Sequence, residues 1–333
     1  MLIPEQICKK YMAVYPDAEK QSDTLRSAKT SGDMTWPDWC WLPVRAAHTI
    51  VLNEIQKHPD VSMMQAAPDV GNLAAILNWR ITKGVYRFDE DLLKSLWEVS
   101  LDRDIPVDVF FNLPEWCCYI DLEGFGPADA MELAGFFVYL EYDTNTGGRE
   151  IRLTFARLSN SEKGPALSTL PFHIDDQKQI GDMLQGSFDF AAMHGPDHIR
   201  QQLESTPPLQ KEAADLYSRY FSLVLYLCTA DRDIIRTSKV RKTKKSKKKQ
   251  KRALPVEYRV GSAIGGAIRR ARGAAEKGTG EGSKKAPHIR KAHYHTYWTG
   301  KKGEKKKPVV KLIAPIPVNI GDEPVVPIVR RVK

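Results

Sequence analysis

A chain of 333 residues, 42% of them hydrophobic and 27% charged, is long enough for one sizeable domain and a small one, with a substantial core. Its formal net charge of +9 is unevenly spread: from Ser238 onward Lys and Arg number 28 against 6 Asp and Glu, which leaves the preceding part acidic. Five cysteines, Cys8, Cys40, Cys117, Cys118 and Cys228, are odd in number and not spaced as metal pairs, so vicinal Cys117 and Cys118 are expected to pack rather than bridge, and a reducing compartment is expected.

In chain order, Met1 to Glu5 lacks the pattern of a signal peptide, and no apolar run approaches the roughly 20 residues needed to cross a bilayer. A soluble, cytoplasmic protein with no membrane contact is expected. The segment Trp36-Pro37-Asp38-Trp39-Cys40-Trp41 holds three indoles. Trp36, Trp39 and Trp41, with Glu115 and Trp116 further on, are candidates to line a groove for a polypeptide segment; the alternative is that the indoles close a core. Apolar residues at helical spacing predict helices over Ala46 to Lys57, Gly71 to Ile81 and Asp89 to Leu101, the last with acidic residues at its N-terminal end. Trp116 to Leu122, Gly135 to Tyr142 and Arg149 to Leu158 are rich in aromatic and β-branched residues and predict two or three antiparallel strands, the last two joined by a turn-rich hairpin connection. Helix is expected again at Asp176 to Leu184, His198 to Leu203 and Leu209 to Cys228.

Beyond Thr237 the character changes. Lys239 to Arg252 is almost entirely Lys, Arg, Ser and Thr, a composition that buries little and predicts a flexible linker. A short helix is expected at Ala263 to Ala275 with Arg269, Arg270 and Arg272 exposed, followed by a Gly-rich stretch, Gly278 to Ser283. The block from Pro287 to Gly300, with Val309 to Ile313 and Val325 to Val332, is expected to form a small β module. The predicted fold class is therefore α+β: a mainly helical acidic domain with a small antiparallel sheet (1–237), a basic linker (238–256) and a basic, aromatic-rich module (257–333).

Basic charge interleaved with aromatic rings is what RNA or single-stranded DNA requires, because cations neutralise phosphates and ring faces stack on bases. Lys244, Lys245, Lys248, Arg269, Arg270, Arg290, Lys291, His293, Tyr294, His295, Tyr297 and Trp298 are the candidate nucleic-acid-binding residues. His288, His293 and His295 invite comparison with a zinc site, but no cysteine lies near them and no acidic residue lies within the block Pro287 to Gly300, Glu304 being the nearest to that block. His194 and His198 are separated by Gly195-Pro196, which disfavours a metal-binding helix. His173 beside Asp175 and Asp176 reads as a helix N-cap region. Gly261-Ser262-Ala263-Ile264-Gly265-Gly266 lacks the ending of a phosphate-binding loop and is expected to provide flexibility. Glu115, Asp121, Glu123, Glu132 and Glu141 show no spacing that favours a divalent-metal nuclease. No catalytic residue, metal or cofactor is assigned.

Trp36 to Cys40, the run Leu113-Pro114-Glu115-Trp116-Cys117-Cys118-Tyr119, Gly135 to Val138, the block Pro287 to Gly300 and Ile313 to Asn319 together resemble the type V-A anti-CRISPR family, which blocks biosynthesis of the type V-A effector nuclease and has homologues on phages and mobile plasmids. The resemblance covers nearly the whole chain, and the block at 287–300 is its most specific part. It implies a host-defence-evasion protein that recognises a segment of the effector polypeptide during translation and triggers loss of the encoding mRNA. It implies no catalytic triad and no metal. The leading expectation is accordingly a non-enzymatic CRISPR inhibitor whose body binds polypeptide and whose tail contacts RNA or the ribosome. The alternatives are a plasmid- or phage-encoded nucleic-acid-binding accessory protein and a metal-dependent nuclease.

Overall fold

The computed structural model describes residues 1–29, 34–99, 101, 105–125, 133–158, 165–174, 179–194, 207–237, 254–277, 288–300 and 307–318. Among them are eight α-helices, one 3-10 helix and eleven strands. The expected linker lysines Lys244, Lys245 and Lys248, the helix at His198 to Leu203, the Gly-rich stretch and the strand at Val325 to Val332 lie outside the described residues.

The chain groups into two compact units, each assembled from three stretches. The first takes Met1–Arg87, Leu113–Asp176 and Arg236–Tyr258; the second takes Phe88–Asn112, Gln177–Ile235 and Arg259–Lys333.

In the first unit, α1 (Ile3–Val14), α2 (Ala18–Ser27), α3 (Val44–Ile55) and α4 (Met63–Thr82) pack around one another. The last begins where Ser62 Oγ accepts the Gln65 amide, and it stops at Lys83 in the left-handed conformation, φ 54°. From Asn72 to Trp79 every residue of α4 is buried, so it is the central helix and not a half-exposed amphipathic one. Its two buried asparagines are satisfied by distant groups. Asn78 exchanges hydrogen bonds with the Leu42 backbone, and Asn72 links Tyr11 to Thr169.

The sheet is larger than the two or three antiparallel strands predicted. It has seven strands in the order β5-β4-β3-β2-β1-β7-β6, comprising β1 (Gly84–Phe88), β2 (Cys117–Asp121), β3 (Leu133–Tyr142), β4 (Arg149–Arg157), β5 (Ala166–Ile174), β6 (Ile234–Arg236) and β7 (Val256–Val260). Neighbours from β5 to β2 are antiparallel, and β1 lies parallel to β2, which makes the sheet mixed. The β3–β4 connection is the expected hairpin, with Asp143 and Gly148 joined by a backbone bond of 2.9 Å and Gly147 at φ 75°. β1 was unforeseen because five residues directly after a long helix show no separate periodicity. β5 escaped because it carries Ser168, Thr169 and Pro171; a proline is tolerated there since β5 is an edge strand. His173, expected at a helix N-cap, therefore stands in β5 opposite Glu150.

In the second unit, α5 (Glu90–Trp97), the 3-10 turn Val107–Asn112, α6 (Ile180–His194), α7 (Pro207–Cys228) and α8 (Ser262–Lys277) accompany two ribbons. One ribbon pairs β8 (His288–Arg290) with β11 (Ile316–Val318); the other pairs β9 (His293–Thr299) with β10 (Lys307–Ile313). The C-terminal half of α7, from Tyr220 to Cys228, is buried throughout, whereas Leu216 of the same apolar series is 37% exposed, so only that half is a core helix. No helix among the described residues is long and apolar enough to cross a membrane.

Candidate functional site

Three of the five residues expected to receive a polypeptide are turned inward. Trp36 and Trp41 are each only 7% exposed. Trp36 Nε1 donates to the Trp41 carbonyl at 3.3 Å, and the Arg80 guanidinium lies over the Trp41 ring, 5.2 Å from its centre. Arg26 gathers the same segment by donating to the carbonyls of Cys40 and Trp41 at 2.8 and 3.0 Å. Glu115 is also committed inside the first unit. One carboxylate oxygen accepts from Thr82 at 2.9 Å and the other from Tyr258 at 3.1 Å, while Tyr258 stacks on Tyr86. Burial pushes the Glu115 carboxyl up from its ordinary range. Gly84 is the counterpart of this arrangement, since a Cβ there would run into the Glu115 carboxylate.

The other two indoles remain accessible. Trp39 is half-buried and meets Tyr142 edge-on, 5.9 Å between ring centres. Trp116 is 36% exposed, and its Nε1 donates to the Asp38 carbonyl at 3.0 Å. The structure thus gathers Trp39, Asp38 and Trp116 into an aromatic ledge, where the exposed Asp38 carboxylate is already paired with Lys29 and, at 3.4 Å, with Arg26.

In the second unit, the candidate nucleic-acid residues of β9 divide by the two-residue period of a strand. Tyr294 faces inward with its register partner Leu312; its hydroxyl donates to the Ser222 carbonyl at 2.6 Å, and only 4% of the residue is exposed. It packs and does not offer a stacking face. His293, His295, Tyr297 and Thr299 take the other face, opposite Ile313, Lys311, Val309 and Lys307. There the His295 and Tyr297 rings meet edge to face at 4.5 Å, and the Lys311 ammonium lies 5.9 Å from the Tyr297 ring centre. Tyr297 is 42% exposed. Trp298 belongs to the Tyr294 face, opposite Pro308, yet it sits near the end of the ribbon and is 56% exposed.

Lys307, Thr299 and Lys311 were missed as members of this surface. Their signal was present in the alternation of Lys307, Val309, Lys311 and Ile313 with the inward Val310 and Leu312. Between the paired ends the sequence carries Lys301, Lys302, Lys305 and Lys306, outside the described residues.

The remaining basic candidates separate by what they already hold. Arg269 donates to both oxygens of Asp89 and to Asp91, and Arg272 donates to Asp91 at 2.6 Å, so α8 is tied to the start of α5 by charge. Arg270, the next residue, is exposed. Lys291 is exposed with its ammonium 4.0 Å from Glu98. Arg290 lies on β8, in the other ribbon, so the candidates of β8 and β9 do not share one sheet.

The glycine run expected to supply flexibility has a different basis. Gly261 has φ 76° and abuts Leu92, and a Cβ on Gly265 would collide with the Asp89 carboxylate. These glycines permit close packing beneath the Arg269 pair.

Of the acidic residues weighed for metal chemistry, Asp121 pairs with Arg87 at 2.7 Å and Glu141 is buried, while Glu132 lies outside the described residues. Among the described residues no group of three or more His, Cys, Asp or Glu is arranged to hold a metal ion.

The family model of the AcrVA2-like proteins, the Anti-CRISPR type V subtype A2 family, matches residues 86–320. Protein FinQ of Escherichia coli is 26% identical over 275 residues, covering 78% of this chain and 79% of that protein. The crystal structure of AcrVA2 is similar over 95% of this chain and 99% of that chain, with a TM-score of 0.61 at 18% identity, a likeness of fold.

Proposed function

From membership of the AcrVA2-like, type V subtype A2 anti-CRISPR family, to which this chain belongs, we propose that it recognises a segment of the type V-A CRISPR effector polypeptide and lowers the effector's expression through loss of its mRNA. In this reading the first unit holds the polypeptide, and the basic C-terminal region contacts RNA or the ribosome in the cytoplasm of the host. The observation that carries the reading is the basic and aromatic outer face of the β9/β10 ribbon, where Lys311, Tyr297 and His295 lie together in a segment with a large excess of Lys and Arg. The Trp39, Asp38 and Trp116 ledge supports the polypeptide half. The face of an exposed indole such as Trp116 suits a basic side chain of a nucleic-acid enzyme, and the Asp38 carboxylate beside it, though paired with Arg26 and Lys29, adds negative charge.

The test is to express this protein beside a type V-A effector gene and to measure effector mRNA and protein against an unrelated gene driven by the same promoter. Selective loss of the effector transcript is expected. Undiminished transcript, with nucleic acid still co-purifying, would replace this reading with that of a plasmid- or phage-encoded nucleic-acid-binding accessory protein.

A further inference from the structure

Adjacent residues of a strand point to opposite faces, so Tyr297 and Trp298 cannot stack on neighbouring bases from the same side. Both are nonetheless well exposed, at 42% and 56%, and both lie close to the last register pair of the ribbon, Thr299 with Lys307. Trp298 escapes cover because the inward face is occupied only further along the strand, by Tyr294, Val310 and Leu312, all buried. Near the Thr299–Lys307 pair the described ribbon is therefore an aromatic wedge, with an exposed ring on each face. On the Tyr297 side a cation accompanies the ring, since Lys311 lies over it and Lys307 is exposed on the same face. A ring next to an ammonium is the pairing that one nucleotide needs, base on ring and phosphate on cation.

We propose that this wedge binds single-stranded RNA, with one base stacked on Tyr297 and a nearby base on Trp298 of the opposite face. The proposal rests on the RNA contact in the function above and specifies its site and ligand. A strand with unpaired, flexible bases can reach rings on both faces of the ribbon. A duplex cannot: its bases are stacked inside, and B-form DNA stays stiff over roughly 150 base pairs. Protein recognition of RNA by ring stacking likewise falls on unpaired bases. RNA is chosen over DNA because His295, exposed beside Tyr297, can donate to or accept from a 2′-hydroxyl.

The experiment measures binding of the full-length protein to a labelled 12-nucleotide oligouridylate, its DNA counterpart and a 12-base-pair RNA duplex. The proteins compared are the parent, Tyr297→Ala, Trp298→Ala and Lys311→Ala. Because both rings are exposed, thermal melting should match the parent, which separates lost binding from lost fold. Each ring truncation should weaken oligouridylate binding by about tenfold. Lys311→Ala should reduce the slope of log affinity against log salt by about 0.7, the value for one phosphate on a single strand. The duplex should bind more weakly and respond to neither ring. A Trp298→Ala protein that binds oligouridylate like the parent overturns the wedge, and equal affinity for the DNA strand overturns the choice of RNA. Absence of binding to all three probes overturns the RNA contact itself, a result distinct from binding that ignores the rings.

Discussion

Glu141 on β3 and Glu150 on β4 are direct register partners, so two carboxyl groups meet on one face of the sheet, and both are buried. They are treated unequally. Glu150 is paired with Arg152 at 2.7 Å and lies 3.3 Å from His173 Nδ1. Glu141 accepts only the Val44 amide, at 2.7 Å, and its second oxygen has no hydrogen-bond partner.

Burial, opposed in part by Arg152, pushes the Glu141 carboxyl up to about 8. The folded protein then keeps a proton that the unfolded chain releases at ordinary glutamate values. Between those two pH values the native state binds more protons, so stability falls as pH rises through that window. Melting temperature should drop from pH 5 toward pH 8, and Glu141→Gln should flatten this part of the profile. An unchanged profile in the variant would assign the dependence to other groups.

Trp36 and Trp116 should respond very differently to truncation. Trp36→Ala empties a buried site and is expected to cost about 3–5 kcal/mol. Trp116→Ala removes a partly exposed ring and one hydrogen bond to Asp38, worth about 1 kcal/mol. Urea unfolding of the two variants reads the difference directly, and Trp116→Ala should remain folded enough to test for loss of effector recognition.

Arg269 and Arg270 are neighbours with separate duties. Arg269→Ala breaks the contacts to Asp89 and Asp91 and should lower thermal stability. Arg270→Ala should leave stability unchanged and reduce the salt dependence of nucleic-acid binding. Paired melting and binding titrations check both, and the reverse pattern would show the assignment to be inverted.

Tyr294→Phe keeps the ring in the core and removes the donor to the Ser222 carbonyl. A loss of about 1 kcal/mol is expected from the missing hydrogen bond. RNA affinity should match the parent, because the ring never faces the ligand. Weakened binding in a stably folded variant would contradict the inward placement.

Much of the architecture could be read from local pattern. The helices at Val44–Ile55, Glu90–Trp97 and Pro207–Cys228, the Gly71 to Ile81 part of Met63–Thr82 and the β3–β4 hairpin followed from periodicity and turn chemistry, which act over a few residues. The short β1, the polar edge strand β5 and the strand β7 did not, because each is stabilised by partners far along the chain. β7 shows why chain order misleads. Tyr258 completes the hydrogen bonding of Glu115 from 143 residues away, so ending the chain at Thr237 would remove that strand from the sheet.

Sequence alone determined which residues have the chemistry to bind a polypeptide or a nucleic acid, through an acidic stretch rich in indoles and a basic stretch with alternating rings and cations. Only the tertiary structure decided which of them remain available. Trp36, Trp41, Glu115, Tyr294 and Arg269 have composition and spacing equal to those of their neighbours, but each is used within its own unit. Trp116, Tyr297, Trp298 and Lys311 are exposed, and Trp39 is half-buried. The physical reason is that availability depends on which long-range contacts bury a side chain or satisfy its polar atoms. Such contacts join residues tens to hundreds of positions apart, beyond the reach of any local pattern.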